Sequence, residues 1–270
     1  MYQFNKLKHQ HIFDGKPLYG TTTLIKEMMP PPLHWWASGK ALELLGWTNP
    51  NFQNDNYIPK GDGIKLAAQK LEEVKTLTAG NYYDLLQQCY RNHDEFKTDA
   101  GKYGTEKHDL IQQAVDFAIK NDSGFLDDAP YEDEAVERFA QWGRMKKFIY
   151  SEVHVFSVDF WIGGVIDNIY EENEKYYIGD VKTAKSGIKP SNFFQLGLYD
   201  LQQSENGFYT ADGIKLGQSL PIAGYTIIPI PKENKKNYQP KTFTDTLALK
   251  EFGILLANGY KLKNKLENFC

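Results

Sequence analysis

The stretch YYIGDVKTAK, residues Tyr176 to Lys185, decides the fold. Its first half is aromatic and aliphatic, which is typical of a buried strand, whereas its second half carries an acid and a base. Successive side chains of a strand point to opposite faces, so Ile178, Asp180 and Lys182 are predicted to share one face of a sheet. The other face is expected to receive Tyr177, Val181 and Thr183. A carboxylate beside apolar neighbours needs a partner for its charge, and the adjacent strands carry further carboxylates that bear on which partner it has.

The composition indicates a folded protein without the overall positive charge needed to bind long nucleic-acid duplexes over its whole surface. The chain has 270 residues, of which 41% are hydrophobic and 24% charged, and its formal net charge is -4. A polyanion must therefore be bound locally, because the chain as a whole is not basic. The two cysteines, Cys89 and Cys270, are too few for a disulfide framework or for a four-thiolate zinc or iron–sulfur site. The sequence shows no signal-peptide core and no apolar run of membrane-spanning length, so we expect a cytoplasmic protein without membrane contact.

Helical periodicity dominates the first half of the chain, and a period of two replaces it near Phe148. The segments 82–96 and 105–120 read as two helices. Strands are predicted over 148–159, 161–172, 175–185 and 222–230, with a helix that opens at Pro190 and is capped by Ser191, and a last helix over 244–264. This order predicts an α/β fold in which a mixed sheet is flanked by helices. We expect residues 1–100 to form a helical cap or arch, and residues 101–270 to form the core.

Three neighbouring strands each carry a carboxylate on a side that is otherwise apolar. Alternation places Asp167 with Val165 and Ile169, and it places Glu152 with His154, Tyr150 and Phe156. Several buried carboxylates repel one another, and a shared divalent cation removes that cost. Oxygen ligands suit Mg²⁺ or Mn²⁺, with Asp167, Asp180 and the carbonyl of Val181 as the predicted ligands. Lys182 would then lie beside the water that the ion holds, where its charge can orient that water and offset the charge of a phosphorane-like transition state.

The plain alternative is that Asp180 and Lys182 form a solvated strand end and that Asp167 belongs to a turn. The following helix argues against it, because Gln195 and Tyr199 are four residues apart and share one helical face. That face is expected to lie at the edge of a buried side made by Phe194, Leu198 and Leu201, and to point toward the strand ends.

Together these motifs resemble the RecB-type branch of the PD-(D/E)XK nuclease superfamily. The resemblance rests on an acid on the first strand, GGVID, YYIGDVKT and QLGLY, and on the upstream YGTEKHD, which is similar to the G-x-x-x-H helix of that branch. The opening TTTLIKEMMPPPLHWWASGKA is similar to that of phage and mitochondrial-type single-domain exonucleases. The resemblance implies a restriction-endonuclease-like sheet core. The chain departs from the iron–sulfur relatives of that branch, because it lacks the four cysteines that they carry.

The resemblance also implies a role for each matching residue. His108, Asp167, Asp180 and the Val181 carbonyl would bind the metal, and Glu152 would support the site or a second metal. Lys182 would be the catalytic lysine, and Gln195 with Tyr199 would position the catalytic groups and the DNA backbone. For His108 the alternative is a satisfied core histidine, because it shares a helical stripe with Ile111, Gln112 and Val115.

The loop TAKSGIKP, which follows the acidic strand, is the predicted contact with nucleic acid, through Thr183, Lys185, Ser186 and Lys189. The expected activity is that of a metal-dependent DNA exonuclease acting on single-stranded or end-bearing DNA in recombination, repair or replication, and a protein partner could deliver the DNA ends. Two alternatives stay open: a structure-selective or restriction-like endonuclease, and a non-catalytic nucleic-acid-binding or anti-defence protein. Nothing in these motifs distinguishes DNA from RNA.

Overall fold

A computed structural model describes residues 1–30, 33–48, 60–121, 123–126, 131–183, 187–230 and 239–267 of the chain. It divides into two compact units: one joins Met1–Pro30 to Tyr103–Cys270, and the other is Pro31–Lys102. The expected boundary between residues 100 and 101 therefore differs from the observed division, since the first thirty residues pack with the core.

The elements of the described residues alternate much as the periodicity predicts after residue 147. The strands are β1 Tyr2–Asn5, β2 Gln10–Phe13, β3 Lys16–Pro17, β4 Tyr19–Gly20, β5 Lys147–Ser157, β6 Ile162–Glu172, β7 Lys175–Lys182, β8 Phe208–Tyr209, β9 Lys215–Gly217, β10 Ile222–Pro229 and β11 Lys241–Phe243. The helices are α1 Thr21–Met28, α2 Leu33–Glu43, α3 Lys60–Lys75, α4 Ala79–Lys120, α5 Glu134–Gly143, α6 Pro190–Asn206 and α7 Thr246–Glu267.

Two predictions about these elements were wrong. The expected helices over 82–96 and 105–120 are a single helix, α4, because the glycines between them lower helix propensity without ending the helix. The first twenty residues form short strands rather than part of a helical region.

The larger sheet of the described residues has eight strands, in the order β11-β10-β7-β6-β5-β8-β9, with β4 paired to β6 outside that path. The β5–β6 and β6–β7 pairs are antiparallel, whereas β10 runs parallel to β7 after a crossover through α6. The predicted α/β class and mixed sheet are confirmed. A separate sheet contains β1, β2 and β3.

One edge of β6 is shared by two strands. At its start, Ile162 and Gly163 pair in parallel with Tyr19 and Gly20 of β4. Toward its end, the ladder with β7 begins at Asn168. The residues between these pairings, 164–167, lie in a fork where none of the described strands pairs with this edge of β6. This fork coincides with the GVID part of the motif.

Apolar clusters lie on both faces of the sheet. The cluster on one face joins α4 and α5 to the sheet and includes Ile111, Val115, Phe139, Phe148, Tyr170 and Val181. The cluster on the other face joins α6 to the sheet and includes Val153, Ile166, Ile169, Ile178, Leu196 and Tyr225. Helices α1 and α7 pack in a third cluster with α6, around Leu24, Leu198, Ala257 and Tyr260. This packing explains why the central strands carry apolar side chains on both faces.

Helix α6 is fixed at its start and at its middle. Lys189, not the expected Ser191, is the N-cap residue, because Pro190 takes the first helical position, where its missing N–H costs nothing. In the middle, the carboxylate of Asp200 is fully buried, accepts a hydrogen bond from the Tyr225 hydroxyl at 2.6 Å and lies 3.0 Å from the Lys250 ammonium. These contacts tie α6 to β10 and α7, and so hold the helix that carries Gln195 and Tyr199.

A buried aromatic cluster attaches the N-terminal strands to the core. The hydroxyl of Tyr2 lies 2.7 Å from Nδ1 of His11 and 2.9 Å from Nδ1 of His154. All three residues are buried. One imidazole nitrogen accepts the hydroxyl hydrogen and the other donates N–H to the hydroxyl oxygen, so the accepting ring must be neutral.

This cluster predicts that the protein loses stability in mild acid. Burial lowers the pKa of His11 to about 3 and that of His154 to about 4, so both rings stay neutral in the folded state while the unfolded chain takes up protons near pH 6.5. The free energy of unfolding should therefore fall as the pH drops below 6.5, by about 2 kcal/mol per histidine at pH 5. In urea titrations across this pH range, the free energy of unfolding of His11→Gln should change less with pH than that of the wild type. Equal slopes in the two proteins would contradict the assignment.

Candidate metal centre

A kink in the sheet sets the direction of the acidic side chains. Glu152 lies in the middle of β5 with a φ of 46°, in the left-handed region that non-glycine residues seldom occupy. The β5–β6 register passes from Ser151↔Asn168 to Val153↔Ile166 and skips the pair Glu152 and Asp167. The pairing register is the same on both sides of this pair, so it is the alternation of side chains, not the register, that slips by one position in each strand.

The slip overturns two predictions about shared faces. Tyr150 and Ile169 pack in the apolar cluster on the α6 side, whereas Glu152 and Asp167 line a small cavity with His108 of α4. Strict alternation had placed Glu152 with Tyr150 and Asp167 with Ile169. The left-handed residue breaks the period of two, and this turns both carboxylates toward α4. On β7 the predicted faces are confirmed, since Ile178 packs on the α6 side and Val181 on the α4 side.

His108, Glu152 and Asp167 form one cluster. Each offers a ligand atom, and these atoms all lie within 4.8 Å of one another. Nδ1 of His108 is 3.6 Å from Oδ2 of Asp167, and the two side chains are 29% and 18% exposed. The cluster is thus half-buried and open to small solutes.

Asp167 also closes the gap where the β6–β7 ladder ends. The last ladder pair on this side is Asn168↔Gly179, and immediately beyond it the N–H of Val181 donates to Oδ2 of Asp167 at 2.7 Å. A side chain thereby replaces the backbone acceptor. The sequence predicted a role for the Val181 carbonyl, and the structure gives Val181 a contact with Asp167 through its N–H.

Asp180 is held by Lys182 rather than by the three-residue cluster. It is 1% exposed, and Nζ of Lys182 lies 2.7 Å from Oδ1 and 2.6 Å from Oδ2. Burial raises the pKa of Asp180 to about 6, Lys182 opposes this shift, and Asp167 adds to it. Burial also works to lower the pKa of Lys182, but the carboxylates of Asp180 and Asp167 outweigh it and raise that pKa. The lysine is therefore a cation at neutral pH.

Glu152 is strongly disfavoured in its ionised form by its surroundings. Burial, followed by the charge of Asp167, raises its pKa to about 8, with smaller effects from Asp109, Asp116 and Asp180. Crowded carboxylates of this kind are stabilised by protonation or by a bound cation. Since the cation would interact with both Glu152 and Asp167, it relieves burial and repulsion together.

The donor set fits a small divalent ion. The cavity measures about 10 Å³, close to the space of one water molecule. Ser151 Oγ and Asn168 Oδ1 also belong to residues lining it, and both atoms are buried without a hydrogen-bond partner in the described part of the chain. Two carboxylates favour Mg²⁺ or Mn²⁺, and the imidazole shifts the preference toward Mn²⁺.

The helix-borne pair lies beside the acidic strands. Nε2 of Gln195 donates to the Tyr199 hydroxyl at 2.6 Å, as the four-residue spacing predicted. Tyr199 is 4% exposed, so it belongs to the core rather than to its edge. Burial and then the charge of Asp180 raise its pKa, and hydrogen bonds from Gln195 and Thr22 oppose this. The tyrosine therefore stays protonated and can donate its hydroxyl hydrogen.

Two glycines of the motifs make room for these side chains. A Cβ at Gly164 would lie 2.3 Å from Cε1 of Tyr199, so the ring lies directly on the backbone of the forked strand. A Cβ at Gly104 would lie 3.0 Å from Oγ1 of Thr183, which lets α4 approach the end of β7. These contacts explain physically why glycine precedes Asp167 and His108 in GVID and GTEKH.

The predicted nucleic-acid contacts are only partly described. Thr183 is half-buried against Gly104, and Lys189 is exposed at the start of α6. Lys185 and Ser186 lie outside the described residues.

Several residues at the site were not anticipated. Thr22 of α1 bonds the Tyr199 hydroxyl, and Thr21 bonds Gln202 at 2.8 Å and the Gly163 carbonyl at 3.0 Å. No local pattern signals these contacts, because β4 brings α1 to the site from a distant part of the sequence. Gln112 lines the cavity and had a signal, since it lies one helical turn after His108.

Comparison with known proteins adds no family assignment. No family model matches the chain, and no curated protein matches it either. Among the described residues, no helix is long and apolar enough to cross a membrane.

The acidic cluster predicts that Glu152→Gln has different effects on stability with and without metal. Saturating Mn²⁺ should raise the melting temperature of the wild type by roughly 5–10 °C, because the ion binds only the folded state. Glu152→Gln should lose this gain. In EDTA the same substitution should be neutral or stabilising, because it removes a buried acid whose pKa is raised to about 8. The exposed Glu134→Gln serves as the control. Full stabilisation of the Glu152→Gln protein by Mn²⁺ would contradict the ligand role.

The close approach of Tyr199 predicts a specific cost for Gly164→Ala. The new methyl must displace the ring, so the free energy of unfolding should fall by about 1–3 kcal/mol. The matched control is Gly101→Ala on α4, where nothing lies within 4 Å of the added atom and alanine favours the helix. Thermal denaturation of both proteins tests this, and equal melting temperatures would show that the ring can move freely.

Proposed function

We propose that this chain is a divalent-metal-dependent DNA nuclease of the RecB type, and that it acts as an exonuclease on single-stranded or end-bearing DNA. The observation that supports this most is the convergence of His108, Glu152 and Asp167 next to the Asp180–Lys182 pair. A structural histidine or a solvated strand end would not explain why three ligand-bearing side chains meet where the ladder ends. The motif order along the chain supports the same proposal.

The residues have distinct tasks in hydrolysis of a phosphodiester. The oxygen of a water molecule bonds to phosphorus and that water gives up a proton, while the bond to the leaving oxygen breaks and the leaving oxygen takes up a proton. Mg²⁺ or Mn²⁺ held by His108, Glu152 and Asp167 would supply Lewis-acid stabilisation of the phosphoryl charge. Lys182 is 25% exposed, so its ammonium can reach a phosphate oxygen while Asp180 keeps it in place.

The surroundings of the site fit a DNA backbone. Tyr199 accepts a hydrogen bond from Gln195 and lies near enough to Asp180 for that charge to raise its pKa, so the tyrosine would help to position the Asp180 carboxylate. Exposed Lys189, together with the loop that contains Thr183, Lys185 and Ser186, would contact phosphates. Local cations are required, because the whole chain carries a formal charge of -4.

The proposal extends to the setting of the reaction. With two cysteines in the sequence, the activity would not involve a four-cysteine iron–sulfur cluster. We place the protein in the cytoplasm, where DNA and reduced thiols are found, with no membrane partner and with DNA ends presented by another protein.

The catalytic role of Lys182 predicts a loss of turnover without a loss of binding. Lys182→Ala should lower the rate of DNA cleavage at least about 100-fold, because a charge that acts on the transition state is removed. Its affinity for DNA in Ca²⁺ should stay within a factor of about three, since many phosphate contacts share the binding energy. Lys241→Ala, at an exposed lysine of β11, is the control. Retained cleavage by Lys182→Ala would exclude the mechanism, and a chain that binds DNA but never cleaves it would favour the binding-protein alternative.

End dependence predicts which substrates are cut. With Mg²⁺ or Mn²⁺, end-labelled linear single-stranded DNA should be degraded to short products, whereas closed single-stranded circles and EDTA reactions should remain intact. His108→Ala should reduce the ratio of the Mn²⁺ rate to the Mg²⁺ rate, because it removes the nitrogen ligand. Efficient cutting of circles would assign an endonuclease, and preferential degradation of a matched RNA strand would replace DNA as the substrate.

A further inference from the structure

The outer face of α7 carries a row of exposed leucines. Leu247, Leu255, Leu262 and Leu266 are 65%, 68%, 58% and 56% exposed. Their spacings of eight, seven and four residues keep all four within about 100° of one another around the helix, which is one side of it. The opposite side is buried against the protein, through Leu249, Gly253, Leu256, Ala257 and Tyr260. A row of this kind is a typical protein contact surface.

Polar residues within the same row are arranged symmetrically about Asn258. Glu251 lies seven residues before Asn258, and Lys265 lies seven residues after it; all three are exposed. Leu255 and Leu262 lie three residues before and four residues after the same point. The row is therefore acidic toward its start, basic toward its end, and carries an amide at its centre.

We propose that this leucine row binds the same row of a second copy of the chain, with the two α7 helices antiparallel and the two-fold axis at Asn258. In that arrangement Leu255 of each copy meets Leu262 of the other. Glu251 faces Lys265 twice, and the two Asn258 amides hydrogen-bond to each other across the axis. A parallel pair would instead place like charges together.

Self-complementarity is the reason to prefer a second copy over an unrelated partner. A two-fold interface requires that each group find its match on an identical surface, and here the acid, the base, the amide and the central leucines Leu255 and Leu262 do so. A single asparagine in an apolar helix seam fixes register and orientation in the same way. This assignment is independent of the proposed nuclease activity.

Sedimentation equilibrium of the full chain tests the pairing. The wild type should pass from one to two copies per particle as its concentration rises through the micromolar range. The double variant Leu255→Glu/Leu262→Glu should stay monomeric at every concentration, because it places four carboxylates in the seam. Leu216→Glu, at a leucine of β9 that is 47% exposed, should dimerise like the wild type. Circular-dichroism melting verifies that each variant is folded.

Charge exchange tests the orientation and the register. Glu251→Lys or Lys265→Glu alone should weaken dimerisation roughly tenfold, because each creates two like-charge contacts per dimer. The combined variant should restore the wild-type dissociation constant. A wild type that stays monomeric would overturn the proposal, as would equal dissociation of Leu216→Glu or failure of the combined variant to recover.

Discussion

Carboxylates that share an apolar sheet end are the physical constraint on which the rest of the site depends. Asp180 is stabilised by a residue two positions along its own strand, because Lys182 forms an ion pair with it at 2.6 Å. Glu152 and Asp167 have no comparable cation within reach on their own strands. The backbone therefore turns them, through a left-handed residue, toward a histidine and a small polar cavity. The carboxylates thus form two groups: Asp180 is paired with Lys182, and Glu152 with Asp167 could be neutralised by a divalent ion.

Much of the sheet follows from local sequence. The period of two over β5, β6 and β7, and the change to helical spacing at Pro190, were readable because side-chain alternation and proline act within a few residues. The faces of β7 were correct for the same reason. The pairing of Gln195 with Tyr199 also needed only the helical repeat. His108, Glu152 and Asp167 were named from their motifs, and the structure brings them together.

The remaining features depend on contacts that no local pattern encodes. The face of Glu152 could not be read, because its positive φ is a response to the surrounding strands rather than a preference of glutamate. The fork in β6 arises from pairing with Tyr19, and Thr22 reaches Tyr199 through the same long-range contact. Alternation also could not assign Ser151 and Asn168 to the cavity, since the joint slip of two strands changes both faces at once.

The bond from Thr21 to Gly163 joins residues separated by 142 positions in the chain. During synthesis the α1 segment is therefore made long before β6. It can form this contact only after β6 has been added to the chain. Contacts of such sequence separation form slowly, because loop closure precedes any gain in contact energy. Completion of the candidate metal site during refolding should then depend on the docking of the N-terminal segment, even after the helices and the β5–β6–β7 meander have formed.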